Sequence, residues 1–363
     1  MVSLCTIHTF QDIYGTYAPM IPEGYEHVYS SVPTALDNKF EIFKKGDLAV
    51  IEIRGSTAKM MSWMVNVHTA MIPAKSSILI NGNIFEYNFA SDTAAAVHAG
   101  YTLAIATIAP TVVAQLNELN DAGIDAVIIT GHSQGGALAN LLRSYLEHLP
   151  SNELSDDIYF KTYAFAAPMV GNKEFAIEYE REFCTKLSSF NIVELADMVP
   201  NMPASYKEGR TFTIQNIMGA MFSEDENMKS LASNAIMNMF SGSLTSISQY
   251  SSRSIENKVE GTLGEVEMPA FRNEWNYSPL KERIELEPFL YPLILNDSTI
   301  FQNDSVMRFE PRDSNGDFEN KALYRKTPGS FHHKPYNYYV GILKRYFPEE
   351  YKQLDVKILP ENL

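Results

Sequence analysis

The stretch Asp125-Ala126-Val127-Ile128-Ile129-Thr130-Gly131-His132-Ser133-Gln134-Gly135-Gly136 constrains what this chain can fold into more than any other part of it. Its first half is a short apolar run of the kind that forms a buried strand. Beyond Gly136, Leu138, Leu141, Leu142, Tyr145, Leu146 and Leu149 fall on one broad helical face that Pro150 ends. A strand that turns directly into a helix with a serine at the corner needs glycines on both sides. They remove β-carbons where helix presses on strand, and they let a strained serine project its hydroxyl. Gly-x-Ser-x-Gly by itself is weak, because residue frequencies supply it by chance in roughly one chain in ten of this length. The strand before it and the helix after it make Ser133 a candidate nucleophile.

Four further apolar runs, 48–54, 78–81, 159–166 and 190–196, read as buried strands separated by helical patterns. That alternation predicts an α/β fold with a mostly parallel central sheet flanked by helices. After Pro203 the composition changes. Residues 205–329 hold few strand-like runs, a polar stretch at 241–253, and a cluster of Met218, Met221, Met228, Met237 and Met239. The expectation is one domain over 1–363 carrying a largely helical or irregular insertion or cap at 205–329.

Asp and Glu outnumber Lys and Arg by 44 to 29, for a net charge of −15, which disfavours nucleic acid as a partner. Cys5 and Cys184 are too few for a disulfide framework, so stability has to come from packing. The apolar stretch 101–116 is interrupted by Pro110 and is expected to fall short of a membrane span. Residues 1–6 have no basic residue ahead of an apolar core and do not read as an export signal. Cytoplasm is the default expectation, with secretion open for a chain that begins after processing.

A serine hydroxyl needs a base to take its proton at neutral pH. The order nucleophile, acid, histidine leaves only histidines well after Ser133. His148 lies in the helix that follows the serine, so His332 and His333 are the candidates, both between the turn 328–330 and the helix-like run 335–346. The carboxylate to orient the base should follow a strand. Asp197 does, just past 190–196, whereas Asp156 and Asp157 precede a strand and Glu194 lies inside one.

With these residues in place the chain resembles the fungal-type (class 3) lipases of the α/β-hydrolase fold. Residues 48–56 resemble the family's strand ending in Arg-Gly-Ser/Thr, with Trp63 shortly after. Residues 97–101 resemble its Val-His-x-Gly-Phe/Tyr segment, and 129–139 match its elbow nearly letter for letter. Residues 164–172 resemble Phe-Gly-x-Pro-x-Val-Gly-Asn, with Ala166 at the glycine position. Residues 197–203 resemble the acid-bearing Asp-x-Val-Pro-x-x-Pro. The resemblance covers about 40–203 and resumes near His332. It implies a serine esterase or lipase with Ser133, Asp197 and a late histidine as triad. His333 is favoured over His332 because Tyr336 and Tyr338 follow it at family-like distances, although 136 residues separate it from Asp197, more than the resemblance suggests. It also implies an oxyanion hole built from the N–H of Gln134, where the family usually has leucine, and from Ser56. His98 takes no catalytic part in it.

The same resemblance places a lid at 60–91, which carries Met60, Met61, Trp63, Met64, Val67, Met71 and Ile72; the methionine cluster after 205 is expected to be core or a second flap. The expected partner is a lipid or small-molecule ester, with contact to a lipid interface left open. A phospholipase or thioesterase on this scaffold, or a lipid-binding relative without catalysis, are the alternatives. Asp313-Ser314-Asn315-Gly316-Asp317 lacks the spacing of a calcium loop and reads as an ordinary turn, so no metal or other cofactor is expected.

Overall fold

Strands buried on both faces of a sheet read as nearly continuous apolar runs, and such runs form the middle of this molecule. The computed structural model describes residues 1–57, 59–203, 259–274, 276–328 and 330–363. Its main sheet has seven strands. β1 (Glu26–Ser30) and β2 (Phe40–Lys45) are antiparallel at one edge, followed by β3 (Leu48–Ile53), β8 (Ala126–His132), β9 (Tyr159–Phe165), β10 (Ser189–Glu194) and β12 (Arg283–Leu286), which are mutually parallel. Register aligns the carboxyl ends: Ile53 faces Gly131, and His132 faces Phe165. The turns that leave β3, β8, β9 and β10 therefore open on one edge, where parallel sheets place their sites. This is the α/β-hydrolase arrangement.

The run 78–81 departs from the expectation. It ends β5 (Lys75–Ile80), which leaves the main sheet and pairs antiparallel with β6 (Asn83–Asn88) and β11 (Val266–Glu267). The reason is local: Asn81 and Gly82 both have positive φ, 50° and 77°, and Ile80 pairs with Asn83. That is the Asn-Gly two-residue hairpin turn, which commits the flanking segments to each other. β4 (Met71–Pro73) and β7 (Ala96–His98) form a second small sheet. Residues 283–286, inside the span expected to be an insertion, extend the central sheet as β12, and Val259 and Leu280 join the main core. The methionine cluster Met218–Met239 and the polar stretch 241–253 lie outside the described residues.

Helices α1 (Ile7–Tyr14), α2 (Met60–Val67), α3 (Ala99–Asp121), α4 (Gln134–Glu147), α5 (Lys173–Tyr179) and α6 (Pro335–Tyr346) pack around the sheets. The apolar stretch expected to be cut at Pro110 is instead one helix of 23 residues, with Pro110 at an exposed position. By length and composition α3 could cross a membrane, but 67% of its most apolar window is buried inside the molecule, as in a core helix. From the 60–91 span, Met64, Val65, Met71, Ile72, Ile78 and Tyr87 are buried, and Met71 and Ile72 belong to β4 rather than to a helix.

α4 lies unusually close to the sheet. A β-carbon on Gly131 would sit 2.3 Å from the carbonyl of Gly135, and one on Gly135 would sit 2.0 Å from the carbonyl oxygen of Ile53. Both neighbours are backbone, which has nowhere to retreat. Gly135→Ala is expected to lose at least about 3 kcal/mol of stability or to fail to fold, whereas Gly261→Ala, where a β-carbon meets nothing within 4 Å, should stay within about 1 kcal/mol. Chemical denaturation of the two variants beside the parent checks this; equal effects would contradict it.

Candidate active site

Ser133 stands between β8 and α4 at φ 59° and ψ −128°, a strained backbone for a residue with a β-carbon. Its N–H donates to the carbonyl of Phe165 at 2.9 Å, which ties the strained turn to β9. Although Ser133 is the N-cap of α4, its hydroxyl makes no capping bond and is left for other partners. The first N–H groups of α4 have no helical acceptor and point out of the helix end, where they favour negative charge.

The two histidines separate cleanly. His333 Nε2 lies 2.8 Å from Ser133 Oγ, and its Nδ1 lies 2.8 Å from Asp197 Oδ2. His332 turns instead to Glu194, with Nδ1 2.6 Å from Oε1. Of the two, it is His333 that meets Ser133, while the ring of His332 is engaged with a second buried carboxylate. The loop is held from behind. His333 N–H donates to Ser330 O at 3.1 Å, and Asn337 Nδ2 donates to Phe331 O at 2.7 Å.

Asp197 is 3% exposed, so its charge has to be satisfied by the protein. Oδ2 accepts from His333 and from the Tyr338 hydroxyl at 2.7 Å, and Oδ1 accepts the Val199 N–H at 3.0 Å. Burial pushes the Asp197 carboxyl up, but the facing His333, with its charge and hydrogen bond, then Tyr338 and Val199, together hold it below the usual carboxylate range. An ionised carboxylate can only accept, so Nδ1 of His333 carries the proton and Nε2 presents its lone pair to Ser133. Burial, followed by the neighbouring His333, keeps the ring of His132 neutral; the two rings are 4.8 Å apart.

Tyr338 is the site residue whose contact was missed. The Glu194 N–H donates to its hydroxyl at 3.0 Å, so the phenol proton is left for Asp197. Spacing after His333 marked it, but its contact with Asp197 exists only across the fold. Ser56 follows β3 on the other side of the elbow. A β-carbon on Gly55 would lie 2.8 Å from His132 O and 3.7 Å from Ser133 Cβ, so the turn bearing Ser56 rests on Ser133. Asp37 clamps that turn, accepting from Thr57 Oγ1 at 2.5 Å and Lys59 Nζ at 2.8 Å and pairing with Arg54 at 3.1 Å.

Comparison with known proteins agrees with this geometry at the point where it is most specific. The sequence profile described as Lipase (class 3) matches residues 50–207, from β3 through the elbow to just beyond Asp197. Residues 50–207 are similar to the class 3 lipases. A Caenorhabditis elegans protein named as lipase ZK262.3 is 37% identical over 82 residues, which are 23% of this chain; the chain spans about a fifth of that relative's length, 22%. Among solved structures, the Rhizomucor miehei triacylglyceride lipase overlaps 56% of this chain and 72% of its own at 18% identity and a TM-score of 0.40. Lipase II from Rhizopus niveus overlaps 55% and 71% at 22% identity and a TM-score of 0.38. The fold rests on the strand order and register above, not on these overlaps.

Within the matched residues 50–207, His98 is a packing residue. It is fully buried, its Nδ1 accepts the Tyr101 N–H at 3.2 Å, and its ring stacks on Tyr101 with centroids 3.8 Å apart. Far along the chain, Asp313 Oδ1 accepts the N–H groups of Asn315 and Asp317, which is the arrangement of an ordinary Asx turn.

His68 is the C-cap of α2. It is 2% exposed, its ring stands edge-on to Phe271, and neither ring nitrogen meets a hydrogen-bond partner among the described residues. Burial lowers its pKa to about 4. The unfolded chain binds this proton near pH 6.5 and the folded chain does not, so stability is full above that pH and falls on acidification towards pH 4. Acidification should therefore cost the parent protein up to about 1.4 kcal/mol per pH unit from this one site. Urea unfolding at pH 7 and pH 5 is expected to show that His68→Leu removes this loss; an unchanged acid dependence would contradict it.

Proposed function

We propose that the protein is a serine hydrolase of carboxylic esters, and that its substrates are acyl esters of lipids. The observation that carries the reading is the continuous path from Ser133 Oγ through His333 to Asp197, each link 2.8 Å. The similarity of residues 50–207 to the class 3 lipases supports the choice of lipid esters.

In this reading the Ser133 hydroxyl oxygen attacks the ester carbonyl carbon while its proton passes to Nε2 of His333. Asp197 holds the ring in the required tautomer and stabilises the imidazolium without taking the proton. The carbonyl oxygen becomes an oxyanion, met by the N–H groups of Gln134 and Ser56 and by the positive end of α4. Collapse breaks the bond to the leaving alcohol, which takes the proton from His333 and leaves an acyl ester on Ser133. Water repeats the sequence and restores the serine. No step calls for a metal or an organic cofactor.

We also propose a single domain for the chain. Val259, Val266 and Leu280 share the main core, and Leu359 packs with Leu4 and Ile7. Of the 60–91 span, α2 is the part beside the site, because its Asn66 touches Ser56.

A panel of p-nitrophenyl esters, triglycerides, phospholipids and acyl thioesters tests the reading. Hydrolysis of acyl esters is expected. Ser133→Ala and His333→Ala should each lower kcat by about 10^5-fold or more, and Asp197→Asn by about 10^4-fold. His332→Ala should stay within about tenfold of the parent, since its ring serves Glu194. Turnover that survives Ser133→Ala would overturn the assignment; preferred cleavage of thioesters would move the substrate class, and preferred cleavage of phospholipid acyl esters would narrow it to phospholipids.

A further inference from the structure

We infer that the side chain of Gln134 is a positioning residue that, acting through Asn66, aims the hydroxyl proton of Ser56 into the oxyanion pocket. The inference rests on the ester-hydrolase reading above and deepens it.

The carbonyl of Ser62 can only accept, so the atom of Gln134 that faces it at 2.8 Å is Nε2, and the orientation of the amide follows. Its oxygen then accepts from Asn38 Nδ2 at 3.1 Å. The second hydrogen of Nε2 goes to Asn66 Oδ1 at 3.1 Å. Tyr101 donates to the same oxygen at 3.2 Å, and burial keeps its phenol protonated. With two donors on Oδ1, Asn66 turns Nδ2 to Ser56 Oγ, 2.8 Å away. Ser56 Oγ is thereby an acceptor within the protein. Its own hydrogen is left for a further partner, on a turn that Gly55 presses against Ser133.

Each bond in this relay has one permitted direction, and the direction is set far from the reacting atoms. The N–H of Ser56 needs no such help, because a backbone donor cannot rotate; a hydroxyl can. Without the relay the Ser56 proton would be free to turn towards Asn66, and the site would keep two oxyanion donors instead of three. The relatives this chain resembles usually carry leucine at the position of Gln134, and a leucine side chain cannot begin the relay. The glutamine thus has a use beyond the backbone N–H that any residue there supplies.

A double-mutant cycle tests this. kcat and KM for a soluble p-nitrophenyl ester are measured for the parent, Gln134→Leu, Ser56→Ala and the double variant, with thermal midpoints recorded for each. Gln134→Leu is expected to lower kcat by about tenfold and to change KM by less than about twofold, because the lost donor acts on the transition state. In the Ser56→Ala background, where no hydroxyl remains to aim, the same change should cost less than about twofold. Asn66→Asp, which keeps the shape but exchanges a donor for an acceptor, should reverse the last bond and lower kcat as far as Ser56→Ala does. It serves also if Gln134→Leu does not fold. A loss on Gln134→Leu that persists undiminished without the Ser56 hydroxyl, or full kcat in Asn66→Asp, would overturn the inference. Activity of the parent no greater than that of Ser133→Ala would sink the ester-hydrolase reading itself, whereas Ser133-dependent turnover with an additive cycle would sink only this relay.

Discussion

The close approach of α4 to the ends of β3, β8 and β9 is the constraint on which the rest of the structure depends. Gly131, Gly135 and Gly136 lie where any β-carbon would fall within 3 Å of neighbouring backbone, so the helix starts almost inside the sheet. That contact holds Ser133 at positive φ and aims its hydroxyl away from the helix it caps. It also brings the turn after β3 against the elbow, which puts Ser56 beside Ser133. A single packing requirement thus sets Ser133, the end of the helix dipole and Ser56 together, the groups to which the proposed mechanism gives the attack and the oxyanion. The cost of the strained serine, about 1–3 kcal/mol, is covered by packing elsewhere, since α4 is buried along almost its whole length.

A buried carboxylate is the second requirement. Asp197 stays ionised in a dry setting because three donors converge on it, one from its own loop and two from the turn and helix at 333–338, and its charge in turn sets the tautomer of His333. Next to it, Glu194 faces His332 under different terms: burial pushes its carboxyl up, and the facing His332 only partly offsets this. Two consecutive histidines therefore serve two consecutive carboxylate sites. The pairing explains how one turn can hold both rings in place, with Asp197 and Glu194 anchored on the same strand end.

Much of this was legible in the sequence, for reasons that differ from residue to residue. Ser133 and its strand and helix were readable because the elbow is local: glycine spacing, an apolar run and a helical face all lie within some twenty-five residues. Asp197 was readable because its strand end is also local. The preference for His333 over His332 rested on the resemblance alone, through the spacing of Tyr336 and Tyr338, since both histidines sit on one turn and their separate carboxylate partners, Asp197 and Glu194, appear only in three dimensions. The hairpin at Asn81 and Gly82 carried a clear signal, yet apolarity alone assigned its first strand to the wrong sheet. Helix α3 shows the converse, where Pro110 suggested a break that an exposed position tolerates. Asn66, the contact of Tyr338 with Asp197 and the side-chain role of Gln134 left no legible mark, because each depends on residues distant in the chain or on a hydrogen-bond direction that spacing does not encode.

The most direct test of the central claim is to find the covalent intermediate. Acid quench during turnover of a p-nitrophenyl acyl ester, followed by peptide mass spectrometry, is predicted to yield one acylated peptide, with the acyl group on Ser133 and none in Ser133→Ala. Turnover with the acyl group on another residue, or with an unmodified Ser133 under conditions where deacylation has been slowed, would contradict the account.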